Sequence, residues 1–210
     1  MSFLLYNFDD DLIAVAQADG QAHLKIYPFD HVAVVLGRGS KPALEIYEER
    51  CKEDGIPIYR RHGGGCAVLL DPGNLIVSLA LPVNGIGDNN KHFKRISSWV
   101  IKGLEKLGVQ GVYHDGISDF VLVGKKIGGS CIYRRPGILY YSSTLLIDPK
   151  LDLVERYLKH PPKEPEYRKG RGHGEFMGKL LILSNPTVSS QLTEKLALGA
   201  NKENFLRNFS

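Results

Sequence analysis

Two short stretches hold most of the residues whose types and spacing could do chemistry. In the first, Arg60-Arg61-His62 runs directly into Gly63-Gly64-Gly65 and then Cys66-Ala67-Val68-Leu69-Leu70. Consecutive glycines let backbone N–H groups turn toward a bound anion with no Cβ in the way. The arginines add charge and planar donor forks matched to phosphate or carboxylate. In the second, Ser118-Asp119 leads through an apolar run and Gly124 to Lys125-Lys126, followed by Ile127-Gly128-Gly129-Ser130. Adjacent residues of a strand project to opposite faces, so one lysine reaches inward while the other meets solvent. An inward lysine beside glycines is a point charge for a phosphate or an acyl carbonyl. Taken singly, each stretch also reads as a basic hairpin kept soluble by its charge.

These stretches need elements to position them. Residues 31 to 36 are a valine-rich run ending at Gly37-Arg38-Gly39, which predicts a buried strand and a glycine turn. Ser40 stands where an N-cap belongs and Pro42 lies in the first turn. Leu44, Tyr47 and Cys51 then share a face and Gly55 closes the segment, predicting one helix of about four turns. Ala67 to Leu70 and Leu75 to Leu81 read as a strand pair joined by Asp71-Pro72-Gly73-Asn74. From Asp88, the residues Phe93, Ile96, Val100, Leu104 and Leu107 recur at helical spacing up to Gly108. Lys91, Lys94 and Lys106 lie off that stripe, as a solvated face, and Trp99 is expected in the core. Strands are expected at Phe120–Val123 and Gly137–Ile147, and helices at Leu151–Leu158 and Thr187–Leu198. The basic segment Lys163 to His173 reads as an exposed loop, with His160 and His173 on the surface. The fold class expected is α+β in two layers, with a mixed, largely antiparallel sheet flanked by helices.

Composition sets limits around this. The 210 residues suffice for a real core, and 43% apolar with 24% charged residues is ordinary for a soluble globular chain. A formal charge of +4 fits an anionic small ligand or an acidic protein partner and is too weak to argue for nucleic acid. Three cysteines (Cys51, Cys66, Cys131) without a CxxC pair speak against a disulfide framework or a zinc site, so a reducing cytoplasm is the expected compartment. No run approaches a membrane span, and the early acids of the N-terminus do not read as a secretory signal. No His/Asp/Glu spacing suggests a protein-bound metal.

Taken in order, these motifs resemble a known family. Leu36-Gly37-Arg38, Arg60 to Asn74, Ser118 to Tyr133 and the strand Tyr140 to Leu146 resemble the catalytic domain of the lipoate–protein ligase A family. That family lies within the biotin/lipoyl ligase and octanoyltransferase superfamily. The resemblance implies a fold related to class II aminoacyl-tRNA synthetase cores and a two-step reaction. Lipoate or octanoate is activated by ATP, with Mg²⁺ arriving on the nucleotide, to an acyl-adenylate. A lysine of a lipoyl carrier domain, of the acyl-dehydrogenase E2 subunit or glycine-cleavage H-protein type, then takes the acyl group. Carried over residue by residue, Lys126 falls on the active-site lysine. Arg61, Gly64, Gly65, Cys66, Ala67, Val68, Leu69 and Asp119 fall on positions that hold the adenylate. Arg61, His62, Val68, Ile76, Ser78, Lys126, Gly129, Ser130 and Thr144 are the expected lipoate contacts. The basic loop Tyr167 to His173, with Arg168 and Arg171, is the expected dock for the acceptor domain.

Some positions depart from the family pattern. Cys66 stands where the motif has a third glycine, Leu70 where many ligases carry histidine, and Ser118 where they carry asparagine. The chain is expected to be a single domain, 1–210, without the small C-terminal accessory domain of full-length ligases. That leaves room for a separate accessory chain. It also leaves open an ATP-independent octanoyl transferase working through a cysteine thioester, or a non-catalytic relative. Cys51 reads as a core thiol, whereas Cys66, beside Arg61 and His62, is expected to have its thiol pKa lowered. Cys131 follows Gly129-Ser130. A nucleic-acid or membrane partner is not expected.

Overall fold

The computed structural model describes residues 3–83, 85 and 87–183. Its elements in chain order are β1 (Leu4–Leu5), α1 (Asp10–Asp19), β2 (His23–Pro28), β3 (Ala33–Leu36), α2 (Pro42–Glu45), α3 (Glu48–Glu53), β4 (Ile58–Arg60), β5 (Val68–Leu70), β6 (Asn74–Pro82), α4 (Asn89–Lys106), β7 (Tyr113–Asp115), β8 (Asp119–Leu122), β9 (Lys125–Arg135), β10 (Ile138–Leu146), α5 (Leu151–Tyr157), α6 (His173–Phe176) and α7 (Leu180–Leu183). A six-stranded antiparallel sheet has the order β2-β6-β10-β9-β8-β7, and a four-stranded mixed sheet has the order β1-β4-β3-β5. The expected α+β class is what the structure has.

Side-chain alternation explains how the layers stack. In β3, Val34 and Leu36 pack outward with Leu69, Ile58, Cys51 and the α5 residues Val154 and Tyr157. Ala33 and Val35 point the other way and, with Leu70 of β5, meet Ile76 of the large sheet. β3 is thus buried on both faces, which is why residues 33 to 36 are uniformly apolar. On the far side of the large sheet, Ile96 of α4 packs against Leu79, Leu81, Leu139 and Tyr141, and Val100 and Leu104 against Leu75, Val77 and Leu145. Lys91, Lys94 and Lys106 are exposed, as the stripe predicts, and Trp99 is half-buried against the same core.

The structure corrects four readings. The strands β5 and β6 do not form a hairpin; the Asp71–Asn74 turn carries the chain from one sheet to the other. Asp71 holds that turn, accepting from the Gly73 amide (2.8 Å) and the Lys150 amide (2.7 Å). The single helix expected after Ser40 is broken at Ile46, which bridges to Leu158 while the Tyr47 amide bonds the Tyr157 carbonyl (2.9 Å). Leu44 and Tyr47 are consequently exposed and only Cys51 is core. The segment Asp10–Pro28, read only for the absence of a signal peptide, holds a helix and an edge strand. The segment Lys163–His173 is exposed over much of its length, as expected, but is anchored by the buried Arg168 and His173, as described below. The helix expected at Thr187–Leu198 lies outside the described residues.

Candidate functional site

Between the two sheets lies a cavity of about 1080 Å³. Its floor follows from strand register. On β9, Gly129, Cys131 and Tyr133 lie directly opposite Thr144, Ser142 and Tyr140 of β10, and all six line the cavity. Small residues in the middle of both strands leave a channel along the sheet. Two tyrosines wall one end, and Asp119 with Lys126 stands at the other.

A β-bulge decides which lysine serves the cavity. Phe120 pairs with Gly128 but Val121 pairs with Lys126, so Ile127 is an extra residue on β9. The extra residue reverses the alternation. Ile127 stays in the core and Lys126 turns into the cavity, whereas Lys125 turns out and donates to the Glu175 carbonyl (2.8 Å). Lys126 Nζ pairs with Asp119 Oδ1 at 2.8 Å, and Asp119 Oδ2 accepts from the Tyr167 hydroxyl at 3.0 Å. Gly129 leaves the pair room: a Cβ there would lie 3.2 Å from Lys126 Nζ and 3.4 Å from Asp119 Oδ1, and the lysine would have to give by a few tenths of an ångström. An ammonium has three donors, so the pair with Asp119 orients Lys126 and leaves donors for a ligand.

The glycine loop is built by its own neighbours. Arg61 donates to the carbonyls of Val35 (3.1 Å), Gly64 (2.8 Å) and Cys66 (2.9 Å), so its fork shapes the cradle from within. Gly65 has φ +94°, a conformation reserved largely for glycine. Arg60 braces the adjoining turn through the carbonyls of Gly37 (2.9 Å) and Ser40 (3.2 Å). Sequence reasoning missed the residue that joins the two, Glu45. Its buried carboxylate accepts from the Lys41 amide (2.9 Å), the Ser40 hydroxyl (2.9 Å) and the Ala67 amide (2.6 Å). An acid a few residues past a Ser-x-Pro helix start was the available signal. Asp9, Tyr140 and Tyr167 were missed as well, because their roles depend on contacts from distant parts of the chain.

Arg61, His62, Gly64, Gly65, Cys66, Ala67, Val68, Leu69, Asp119, Lys126, Gly129, Ser130 and Thr144 all line this one cavity. Ile76 and Ser78 do not. Ile76 is locked in the core between the sheets, and Ser78 is buried on the next strand, paired in register with Ser142. His62 stacks on Tyr133 with ring centroids 5.0 Å apart. The expected lowering of the Cys66 thiol pKa is reversed: burial, with Glu45 nearby, pushes it up against the weaker pull of Lys126 and Arg61. Burial also raises Cys131, although Arg61 lies beside it. His173 is buried rather than on the surface, its ring 3.1 Å from the Lys159 carbonyl, and burial lowers its pKa. Among the described residues, no group of three or more His, Cys, Asp or Glu is placed to hold a metal ion. Also among them, no helix is long and apolar enough to cross a membrane.

The expected docking role of Arg168 fails on geometry. It is 4% exposed, pairs with Glu164 (3.5 Å) and lies over the Phe176 ring at 4.7 Å. Arg171 is likewise turned inward, onto the carbonyls of Arg168, Tyr167 and Gly124. Charge reversal at Arg168 therefore tests stability. Arg168→Glu is expected to destabilise the domain by about 3–5 kcal/mol, the cost of an uncompensated buried charge, measured by urea unfolding. A loss under about 1 kcal/mol would count against this packing role.

Solved structures with the same arrangement of sheets and helices define the class. This chain superposes with a TM-score of 0.75 on the ligase in a study of a bipartite lipoate protein ligase and its E2 lipoyl domain from Thermoplasma acidophilum. Identity is 22%, covering 97% of this chain and 82% of that one. A lipoate-protein ligase A bound with ATP gives a TM-score of 0.69 at 22% identity, covering 94% and 85%. The fold is that of lipoate ligase catalytic domains. The family model for the lipoyl protein ligase A/B catalytic domain matches residues 6–198, and the chain belongs to that family. Relatives include the lipoate–protein ligase of Streptococcus pyogenes, 34% identical over 148 residues covering 70% of this chain and 42% of the relative. Another is lipoate-protein ligase LplJ of Bacillus subtilis, 30% identical over 145 residues, covering 69% and 43%. The chain thus spans about two-fifths of the length of these relatives.

Proposed function

We propose that this domain is the catalytic part of a lipoate–protein ligase. It activates lipoate or octanoate with ATP and passes the acyl group to a lysine of a lipoyl carrier domain. The observation that carries the reading is Lys126, oriented by Asp119 at the head of the channel and facing the glycine loop. The cavity is at the upper end of small-molecule sites in size, with room for a nucleotide joined to a medium-chain acyl group. Gly64 stands exposed with no heavy atom within 4 Å of where a Cβ would be, so a phosphate can approach the loop backbone there.

In the first step a carboxylate oxygen attacks the α-phosphorus of ATP and the bond to pyrophosphate breaks. In the second, the carrier lysine's neutral amine attacks the acyl carbon. The bond from that carbon to the phosphate-bridging oxygen breaks with its electron pair leaving on AMP, and the new amide nitrogen gives up a proton to solvent. Charge grows on phosphoryl oxygens in one step and on the acyl carbonyl oxygen in the other, and a fixed ammonium stabilises both. On this reading Arg61 shapes the loop, Gly64 to Leu69 and Asp119 border the adenylate, and His62, Val68, Gly129, Ser130 and Thr144 border the acyl group. Mg²⁺ comes with the nucleotide and keeps much of its water. Carrier domains of the E2 or H-protein type are the acceptors, in the cytoplasm. The bipartite description of the Thermoplasma acidophilum ligase supports a further chain acting together with this domain.

The raised thiol pKa values of Cys66 and Cys131 speak for the adenylating route over a cysteine thioester. Cys66→Gly is accordingly expected to keep most acyl transfer to an apo lipoyl domain, read by intact mass with ATP and lipoate and with an octanoyl carrier; loss of transfer from the octanoyl carrier alone would point to a Cys66 thioester. The direct test is intact-mass analysis of an apo lipoyl domain incubated with the protein, ATP, Mg²⁺ and lipoate, beside an octanoyl-carrier reaction without ATP. A lipoyl gain that requires ATP is expected. Transfer only from the octanoyl carrier would overturn the reading.

A further inference from the structure

Among the described residues, five lysines and arginines border the cavity, and three of them are already committed. Arg61 has its fork on the carbonyls of Val35, Gly64 and Cys66, Lys126 pairs with Asp119, and Arg168 is buried against Glu164 and the Arg171 carbonyl. The other two, Lys41 and Lys163, are exposed, and among the described residues neither ammonium makes a hydrogen bond or an ion pair. Their backbones are fixed to one stretch of the glycine loop. The Lys41 amide and the Ala67 amide share the Glu45 carboxylate, at 2.9 and 2.6 Å. The Lys163 carbonyl accepts from the Cys66 thiol at 3.7 Å. Both attachments are also tied to each other, because the Lys159 amide donates to the Glu45 carbonyl (2.9 Å) and its ammonium to the Ala43 carbonyl (2.7 Å). Two unpaired ammonium groups are thus carried on backbone that meets at Cys66 and Ala67, two residues past the exposed Gly64. Glu164, next to Lys163, is occupied by His160 (2.8 Å), the Gly170 amide (2.9 Å) and Arg168. Arg38 and Arg60 border a separate cavity of about 280 Å³ beside Phe3, outside this one.

On the adenylating reading above, Lys126 serves the α-phosphorus and the acyl carbonyl, and the β- and γ-phosphates of ATP are left without a cation from the chain. A lysine is a compact point charge on a flexible stem, suited to phosphates that must be held and then released. We propose that Lys41 and Lys163 hold the β- and γ-phosphates, so that they select a nucleoside triphosphate over a monophosphate and stabilise pyrophosphate as it departs. The inference rests on that adenylating reading. When the carboxylate attacks the α-phosphorus, the bond to the bridging oxygen breaks with its electron pair staying on pyrophosphate. The negative charge of the acid is thereby passed to the leaving group, and two ammonium groups on that side favour the transfer. Neither lysine has a part in the second step, where AMP leaves.

Isothermal titration of the full chain with ATP and with AMP, in Mg²⁺, tests this on the parent and on Lys41→Ala, Lys163→Ala and the double variant. The parent is expected to bind ATP more tightly than AMP. Each single substitution is expected to weaken ATP about tenfold and the pair about hundredfold, with AMP unchanged. Pyrophosphate exchange is expected to fall alongside, while acyl transfer from preformed acyl-AMP to an apo lipoyl domain stays at the parent rate. Lys41→Arg and Lys163→Arg, which keep the charge, are expected to recover most of the loss. Lys94→Ala, on α4 across the large sheet, is the charge control. Parent-like ATP affinity in the double variant would overturn the inference and leave the adenylating reading standing. Transfer from acyl-AMP that falls while ATP binding holds would also overturn it, and would put an acidic face of the carrier domain on the two lysines. A parent that binds neither ATP nor AMP would overturn the adenylating reading itself.

Discussion

Replacing Lys126 with alanine is expected to abolish both half-reactions while the fold persists. The side chain reaches the cavity because the bulge at Ile127 turns it there, and Arg61 is committed to the carbonyls of Val35, Gly64 and Cys66. Loss of one preorganised donor at a developing oxyanion costs about 10²–10³-fold in rate, and here a full charge is lost in each step. The fold is expected to survive because Lys126 is 28% exposed and Asp119 keeps the Tyr167 hydroxyl. Pyrophosphate exchange reads the first step, and acyl transfer from preformed acyl-AMP reads the second. Retention of either within tenfold of the parent would refute the role. Tyr167→Phe, which frees Asp119 without touching the lysine, is expected to give a much smaller loss.

The second large effect is expected at Gly37, which touches no proposed ligand position. A Cβ there would fall 1.9 Å from the carbonyl oxygen of Gly65, and both partners are backbone. Neither side can yield alone: the Gly37 amide donates to Ser40 Oγ (3.0 Å), and Ser40 is tied to the Glu45 carboxylate that holds the Ala67 amide. Gly37→Ala must therefore shift the glycine loop as a body. A displacement near 1 Å costs about 10²-fold in a positioned reaction, and the overpacking costs about 1–3 kcal/mol. Adenylate formation is expected to fall by about that rate factor, with a lower Tm. Gly39→Ala, where no heavy atom lies within 4 Å, is the control. Parent-like adenylation in Gly37→Ala would show that the turn and the loop are uncoupled.

The two motif stretches were legible in the sequence because glycine runs and paired lysines are local signals. The α4 stripe was legible for the same reason, with five apolar residues at helical spacing. The β5–β6 turn was recognised as a turn, yet not as a passage between sheets, since turn chemistry says nothing about which partners the flanking strands choose. Arg168 and Arg171 read as a solvated basic patch because arginine is usually exposed. Only tertiary packing brings Phe176 and Glu164 beneath and beside Arg168. Cys66 was misread in kind: the arginines nearby are real, but burial outweighs them.

Two of the three crossings between the sheets gather along one edge; the third, from β1 to β2, runs through α1. The β2–β3 connection and the β5–β6 turn lie side by side there, joined by the Phe29 amide to the Asn74 carbonyl at 2.9 Å. The two sheets are bound there like the covers of a book, with Asp71 as a stitch in the spine, while the exposed Gly64 and Gly65 stand at the margin and the buried Gly63 rests against Cys131 of the large sheet. A rotation of a few degrees about that spine widens the margin without parting a single strand ladder. Hydrogen exchange is expected to show it as a gradient, slowest at Phe29 and Asn74 and fastest at Gly64 and Gly65. Bulkier tails would then be admitted by tilting a cover, with every page left intact.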